Sequence, residues 1–181
     1  RDRALHTLIF DDPECRPFYY KNGKSFKDYH KEGEIFWHKY VTYTEGMSDY
    51  WDYSFFNVSV IRYADVLLLY AECLNDKGET TEAINIINKV RARVNVPALP
   101  LTMSKAEVLK HLQDKERPCE LALEGSRWYD LVRWGIVEET LKAHNKPFVE
   151  NYVDTKHQLF PIPHSEFLLN PDWEQNPNYS K

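Results

Sequence analysis

Residues 59–94 constrain this chain more than any other stretch, because they admit only one local structure. The run SVIRYADVLLLYAECLN, residues 59–75, is apolar almost all round a helical wheel, with Arg62, Asp65 and Glu72 as its few charges. Such a run reads as a buried helix. Asn75-Asp76-Lys77-Gly78 ends it, Gly78 being able to take the left-handed conformation. Ala83, Ile86, Ile87, Val90 and Val94 then recur at i, i+3, i+4, i+7 and i+11, one face of a second helix that Thr80 or Thr81 is placed to cap and that Pro97 and Pro100 stop. Two such helices joined by a short turn form a helical hairpin.

A second pair follows over 104–135. Ser104-Lys105-Ala106-Glu107 is a capping box, and Val108, Leu109 and Leu112 are an apolar stripe. Pro118 predicts a break or kink, since an interior proline costs about 3 kcal/mol. Residues 119–135 carry Leu121, Trp128, Leu131 and Val132 on one face. Gly125 costs roughly 1 kcal/mol against Ala in that helix and predicts a tight helix crossing. Glu120–Glu124 is a like-charge pair at i,i+4, while Glu124–Arg127 and Asp130–Arg133 are opposite pairs at i,i+3. Arg62, Glu72, Arg91 and Arg93 are expected to pair with one another across the first hairpin.

Residues 1–58 have no helical period. They hold scattered glycines, prolines and a high density of aromatic rings, read as long loops with one or two short strands, the best candidate being Ile35–Thr44. A loop this long has a function or a neighbour to lie on. The tail, 136–181, is loop-rich. Phe160-Pro161-Ile162-Pro163 must be extended, and His164-Ser165-Glu166 can begin a short helical turn.

Composition narrows the function. The chain of 181 residues has 14% aromatic residues yet a mean hydropathy of -0.61, which implies half-wet rings and hence recognition surface. The net charge of -5 with no basic stripe excludes a nucleic-acid partner. Cys15, Cys73 and Cys119 have no metal-ligand spacing; Cys73 and Cys119 read as small buried hydrophobes. The seven histidines form no HExxH. There is no calcium loop, phosphate-cradling glycine loop or GxSxG elbow, so no cofactor is expected. No signal peptide or membrane-spanning run is present, and Arg1-Asp2-Arg3-Ala4 does not read as a natural start, so a piece of a longer chain is expected.

Leu67, Ala71, Gly78, Ala83 and Ile87 match the large and small positions of the tetratricopeptide pattern of about 34 residues, in which small residues let paired helices approach. A more specific resemblance rests on ordered blocks. Ile61–Glu72, Ala83–Arg93, Glu116-Arg117 with Glu120–Gly135, Leu159–Pro163, and Glu166, Asn170-Pro171 and Gln175–Tyr179 resemble the C-terminal part of the SusD/RagB family. Pro118 departs from that family's pattern. The resemblance implies an all-α fold of tetratricopeptide-like helical hairpins with long loops and few short strands. It divides the chain into 1–58, aromatic loops packing on the helices; 59–135, two hairpins; and 136–181, an extended Pro/Asn-rich tail. All three would form one C-terminal domain of a longer protein.

The family comprises outer-membrane lipoproteins of the Bacteroidetes that sit as lids on SusC-like TonB-dependent transporters. They bind glycans, or in some members peptides, and are not enzymes. The resemblance therefore implies a surface-exposed protein lipid-anchored through a missing N-terminus, with an oligosaccharide or polysaccharide ligand and a SusC-like partner. Sugars stack flat C–H faces on Trp and Tyr while Asp, Asn and Arg bond their hydroxyls. Trp37-His38-Lys39-Tyr40 and Ser48-Asp49-Tyr50-Trp51-Asp52-Tyr53 have that mix, so Trp37, Tyr40, Asp49, Tyr50 and Trp51 are the candidate ligand residues. Trp128 and Trp134 are expected in the core. Two rivals stand beside this reading: a tetratricopeptide-type adaptor for a protein partner, and a glycan-active enzyme, which needs a cleft carboxylate pair that the helix-face ion ladder does not supply.

Overall fold

The computed structural model describes residues 7–9, 35–37, 39 and 59–180. They fall into two compact units, 1–125 and 126–181.

In the first unit, β1 (Thr7–Ile9) pairs antiparallel with β2 (Ile35–Trp37), Leu8 opposite Phe36. β2 opens the stretch expected as a strand over Ile35–Thr44; of the rest, only Lys39 is described. The helical part is α1 (Tyr63–Asp76), α2 (Thr80–Ala92), α3 (Lys105–His111), a π-helical turn (Leu112–Glu116) and α4 (Arg117–Glu120). α1 packs along α2, and α3 leans on both.

Among the described residues a core cluster is made by Leu68, Ala71 and Leu74 of α1, Ala83, Ile84, Ile86, Ile87 and Val90 of α2, and Val108 and Leu112. Ala71 and Ala83 have no exposed surface, as expected where two helices approach closely. α1 is not buried all round: Tyr63, Val66, Leu69 and Tyr70 are exposed, and Cys73 lies in solvent rather than in the core.

The turn after α1 is a Schellman ending. Gly78 has φ +88°, its N–H donates to the Asn75 carbonyl, and that of Glu79 donates to the Leu74 carbonyl. Neither threonine caps α2; the Thr80 hydroxyl donates instead to Asn75 Oδ1. Buried Asn75 in turn donates to the Lys105 carbonyl, tying the turn to the start of α3. Ser104 and Glu107 form the expected capping box.

Pro118 does not break the rod. The helix runs on from Lys105 to Glu120 because a π turn precedes the proline, with Arg117 N–H reaching back to the Leu112 carbonyl. A wider turn there relieves the clash a proline ring makes with the carbonyl four residues earlier. The break comes at 121–126 instead, where Leu123 (φ +64°) and Gly125 (φ +78°) are left-handed. Gly125 is therefore a turn residue, not a helix-crossing one, and nothing lies within 4 Å of a Cβ built on it.

The second unit holds α5 (Arg127–Trp134), α6 (Val137–Ala143), a 3-10 turn (Pro147–Asn151), α7 (Asp154–His157) and α8 (His164–Leu169). Leu131, Val137 and Leu141 form its core, with Trp128, Val132, Ile136, Val149 and Tyr152 packed against them. α8 begins at the turn expected at His164, whereas α6 lies where a loop was expected. Pro161-Ile162-Pro163 is irregular, as its prolines require.

Candidate functional site

Two arrangements have the chemistry of a site, one in each unit. The first is an ion-pair network around Glu116 and Glu120 of the helix that carries Pro118 and Glu124 of the turn that follows it. Arg62 donates from Nε to Glu124 at 2.7 Å and from Nη1 to Glu120 at 2.9 Å, so one guanidinium reconciles the like-charge pair at 120 and 124. Arg93 Nη2 holds both Glu120 oxygens, at 2.7 and 2.8 Å. One turn back, Glu116, almost fully buried, accepts from Arg91 Nη1 at 2.8 Å and lies 2.9 Å from His111 Nε2. Arg117 Nη1 lies 2.8 Å from Asp65. The arginines 62, 91 and 93 thus find their carboxylates 25 to 62 residues away, not on Glu72 or on one another.

Lys39 completes the network. Its Nζ donates to the carbonyls of Glu120 and Ala122 at 3.1 and 2.9 Å, and to the Glu124 carboxylate. The left-handed turn at Leu123 is what leaves these carbonyls free of helix bonds. Burial pushes the Glu124 carboxyl up, but the hydrogen bonds and charges of Arg62 and Lys39 outweigh it and hold it below the ordinary range. The same bonds raise Arg62 against the lowering effect of its own burial.

Lys39 sits between Trp37 and Tyr40 in sequence, and its own ammonium is bound to the 120–124 turn. Trp37 is the last residue of β2; Tyr40, Asp49, Tyr50 and Trp51 lie outside the described residues. Lys39 was passed over because an isolated lysine among aromatics carries no signal of a partner so distant.

The second arrangement is a cavity of about 300 Å³ in the 126–181 unit, lined by Trp128, Phe148, Asn151, Tyr152, His157, Leu159, Phe160 and Tyr179. That is the lower end of the roughly 300–1,000 Å³ range of ligand pockets. Trp128 and Tyr152 meet edge to face at 6.2 Å between ring centres, and Tyr152 lies at 5.8 Å from the His157 ring. The Tyr152 hydroxyl donates to Asp154 at 2.7 Å; burial and then that bond push its phenol up to about 12. His157 Nδ1 accepts from the Val153 N–H, which fixes the ring.

The two proline-flanked blocks build the opposite wall. Ile162 alone in Pro161-Ile162-Pro163 has an N–H, and the Gln175 amide matches it: Ile162 N–H donates to Oε1 at 2.8 Å and Nε2 donates to the Ile162 carbonyl at 2.9 Å. Asn176 donates to the Phe160 carbonyl at 2.7 Å, and Tyr179 to that of Leu159 at 3.1 Å. Phe160 remains mostly exposed at the mouth, and Lys156 lies 4.7 Å over the Tyr179 ring. Trp128, expected in the core, packs on it with one side and lines this cavity with the other. Trp134 is half-buried under Arg133, at 4.4 Å.

The model of the SusD family matches residues 17–179 of this chain. The chain belongs to the SusD family. SusD-like protein P38 of Formosa agariphila is 37% identical over 130 residues, covering 68% of this chain and 25% of that protein. SusD-like protein P2 of the same organism is 31% identical over 131 residues, covering 68% and 26%. Among solved structures, a SusD superfamily protein from Bacteroides vulgatus superposes with a TM-score of 0.75 at 28% identity, over 98% of this chain and 39% of that one. A SusD homolog from Bacteroides thetaiotaomicron does so with 0.61 at 35%, over 78% and 30%. The chain therefore spans about a quarter of the length of these curated SusD-like relatives. The helical fold expected of the family is the fold observed, and Pro118 is accommodated within it.

Proposed function

We propose that this SusD-family chain belongs to a non-catalytic capture protein that holds nutrient glycans at the outer surface of the cell and delivers them to a SusC-like TonB-dependent transporter. The observation that carries the glycan reading is the aromatic cavity of residues 126–181. Five aromatic side chains, an imidazole and the Asn151 amide converge on a space of sugar dimensions. Flat rings suit the C–H faces of a pyranose, and fixed polar groups suit its hydroxyls. Trp37, Tyr40, Asp49, Tyr50 and Trp51 are proposed as further contacts.

Family membership supports the surface location and the transporter partner, and the guanidinium-saturated glutamates 116, 120 and 124 support binding rather than acid–base chemistry. A second reading, a protein-binding adaptor, draws on the apolar stripe that Tyr63, Val66 and Tyr70 leave exposed on α1.

Isothermal titration of this chain, and of the longer protein it forms part of, against neutral oligosaccharides and peptides tests the proposal. The expected result is sugar binding weakened about tenfold or more by Phe160→Ala and Tyr179→Ala, each of which removes a stacking surface. Trp37→Ala and Trp51→Ala then measure the share of the first segment. Peptide binding with no sugar binding in either form would replace the glycan reading with peptide capture.

A further inference from the structure

At the end of the first hairpin where α1 begins and α2 ends, a groove of about 460 Å³ opens between the two helices. Its floor is apolar: Ala64 and Leu67 from α1, Val90 from α2. Its rim is cationic: Arg62, Lys89 and Arg93. Tyr63 lines the groove too and is 76% exposed.

The rim has more positive charge than its neighbours offset. Glu120 is shared by Arg62 and Arg93, and Glu124 by Arg62 and Lys39. Arg93 uses only Nη2 on Glu120, and Lys89 has no ion-pair partner among the described residues. Lys89 and Arg93 are four apart on one helix, a like-charge spacing that destabilises unless an anion lies between them. The dipole at the end of α2 favours cations there. It does not account for an apolar hollow beside them, on a chain whose net charge is -5.

We infer that this groove holds an acidic sugar unit, a uronate, its ring face against Tyr63 and Leu67 and its carboxylate between Lys89 and Arg93. The inference rests on the glycan reading above and names the sugar class it favours. An acidic peptide suits the groove less well. Its walls are helices whose backbone groups bond within themselves, so no edge exists along which an extended peptide could form a ladder.

The test is titration of the chain with trigalacturonate, with neutral galactotriose and with triglutamate, at low and high salt. Trigalacturonate is expected to bind about tenfold more tightly than galactotriose, with the margin shrinking as salt rises. Lys89→Glu, at an exposed position, is expected to abolish that margin. Ala64→Phe, which fills the hollow, is expected to weaken trigalacturonate binding about tenfold without altering charge. Equal affinity for the two sugars, an unchanged margin in Lys89→Glu, or preference for triglutamate would each overturn the inference. Galactotriose bound in those cases would leave the glycan reading standing; no sugar bound at all would remove both.

Discussion

Lys39 and Glu124 show how a single contact joins the residues that follow β2 to the helices. The lysine has two carbonyls and a carboxylate around its ammonium, all from residues 120–124. Removing its charge while keeping its stem, as in Lys39→Met, leaves Arg62 as the described cation on Glu124 and on the Glu120 carbonyl, and takes its donor from the Ala122 carbonyl. The expected loss is about 1–3 kcal/mol in urea denaturation at neutral pH.

The pH dependence has a definite sign. Glu124 is held below its ordinary value of 4.5, so its contribution is complete above that value and is lost as pH falls through the lower folded value. Urea midpoints measured from pH 7 down to 3 should fall on the acid side, and less steeply in Lys39→Met. An identical acid limb in the variant would mean that Lys39 contributes nothing to the shift. Of these groups, sequence made the charges visible but not their pairing. A helix-face spacing names neighbours three or four residues away, whereas Arg62 meets Glu120 across 58 residues.

Helix ends were more legible than helix faces. α1, α2, α5 and α6 all end with a left-handed residue in a Schellman turn: Gly78, Asn95, Gly135 and Asn145. Glycine and asparagine are the residues that tolerate this conformation, so the signal is local and survives any tertiary arrangement. Gly135 has φ +68° and free space around a Cβ, so the cost of Gly135→Ala is purely conformational, about 1–2 kcal/mol. Hydrogen exchange should report it as lowered protection of the Gly135 and Ile136 amides, which close that turn; unchanged protection would refute the assignment. Gly125 is a stop where its place in the apolar period predicts a crossing. A glycine inside an apolar period can be a crossing or a stop, and only the backbone path distinguishes them. Pro118 likewise marked an irregularity correctly, but a π turn absorbed it and moved the break to Leu123, the less obvious residue.

At the scale of the whole molecule, each unit has its own core, and the first depends on Leu68, Ile84 and Ile87, none with any exposed surface. Leu68→Ala should cost about 2–5 kcal/mol, read as a lowered urea midpoint with an unchanged slope. A loss below 1 kcal/mol would mean that the hairpin collapses around the gap. Sequence alone determined that this chain is helical, that Ser104 opens α3 and Gly78 closes α1, and which face of α2 is buried. Each follows from spacing and conformational preference over a few residues. It also determined the family, because several short blocks in a fixed order carry more information than any one of them. Only the tertiary structure decided which side of α1 faces inward. That helix is apolar nearly all round, so its pattern has no phase, and packing against α2 put Leu68, Ala71 and Leu74 inside and left Tyr63, Val66 and Tyr70 outside. The same holds for the aromatic cavity: Trp128, Tyr152, Phe160 and Tyr179 are unrelated by any period, and they meet because Gln175 and Asn176 bond the backbone of 160–162.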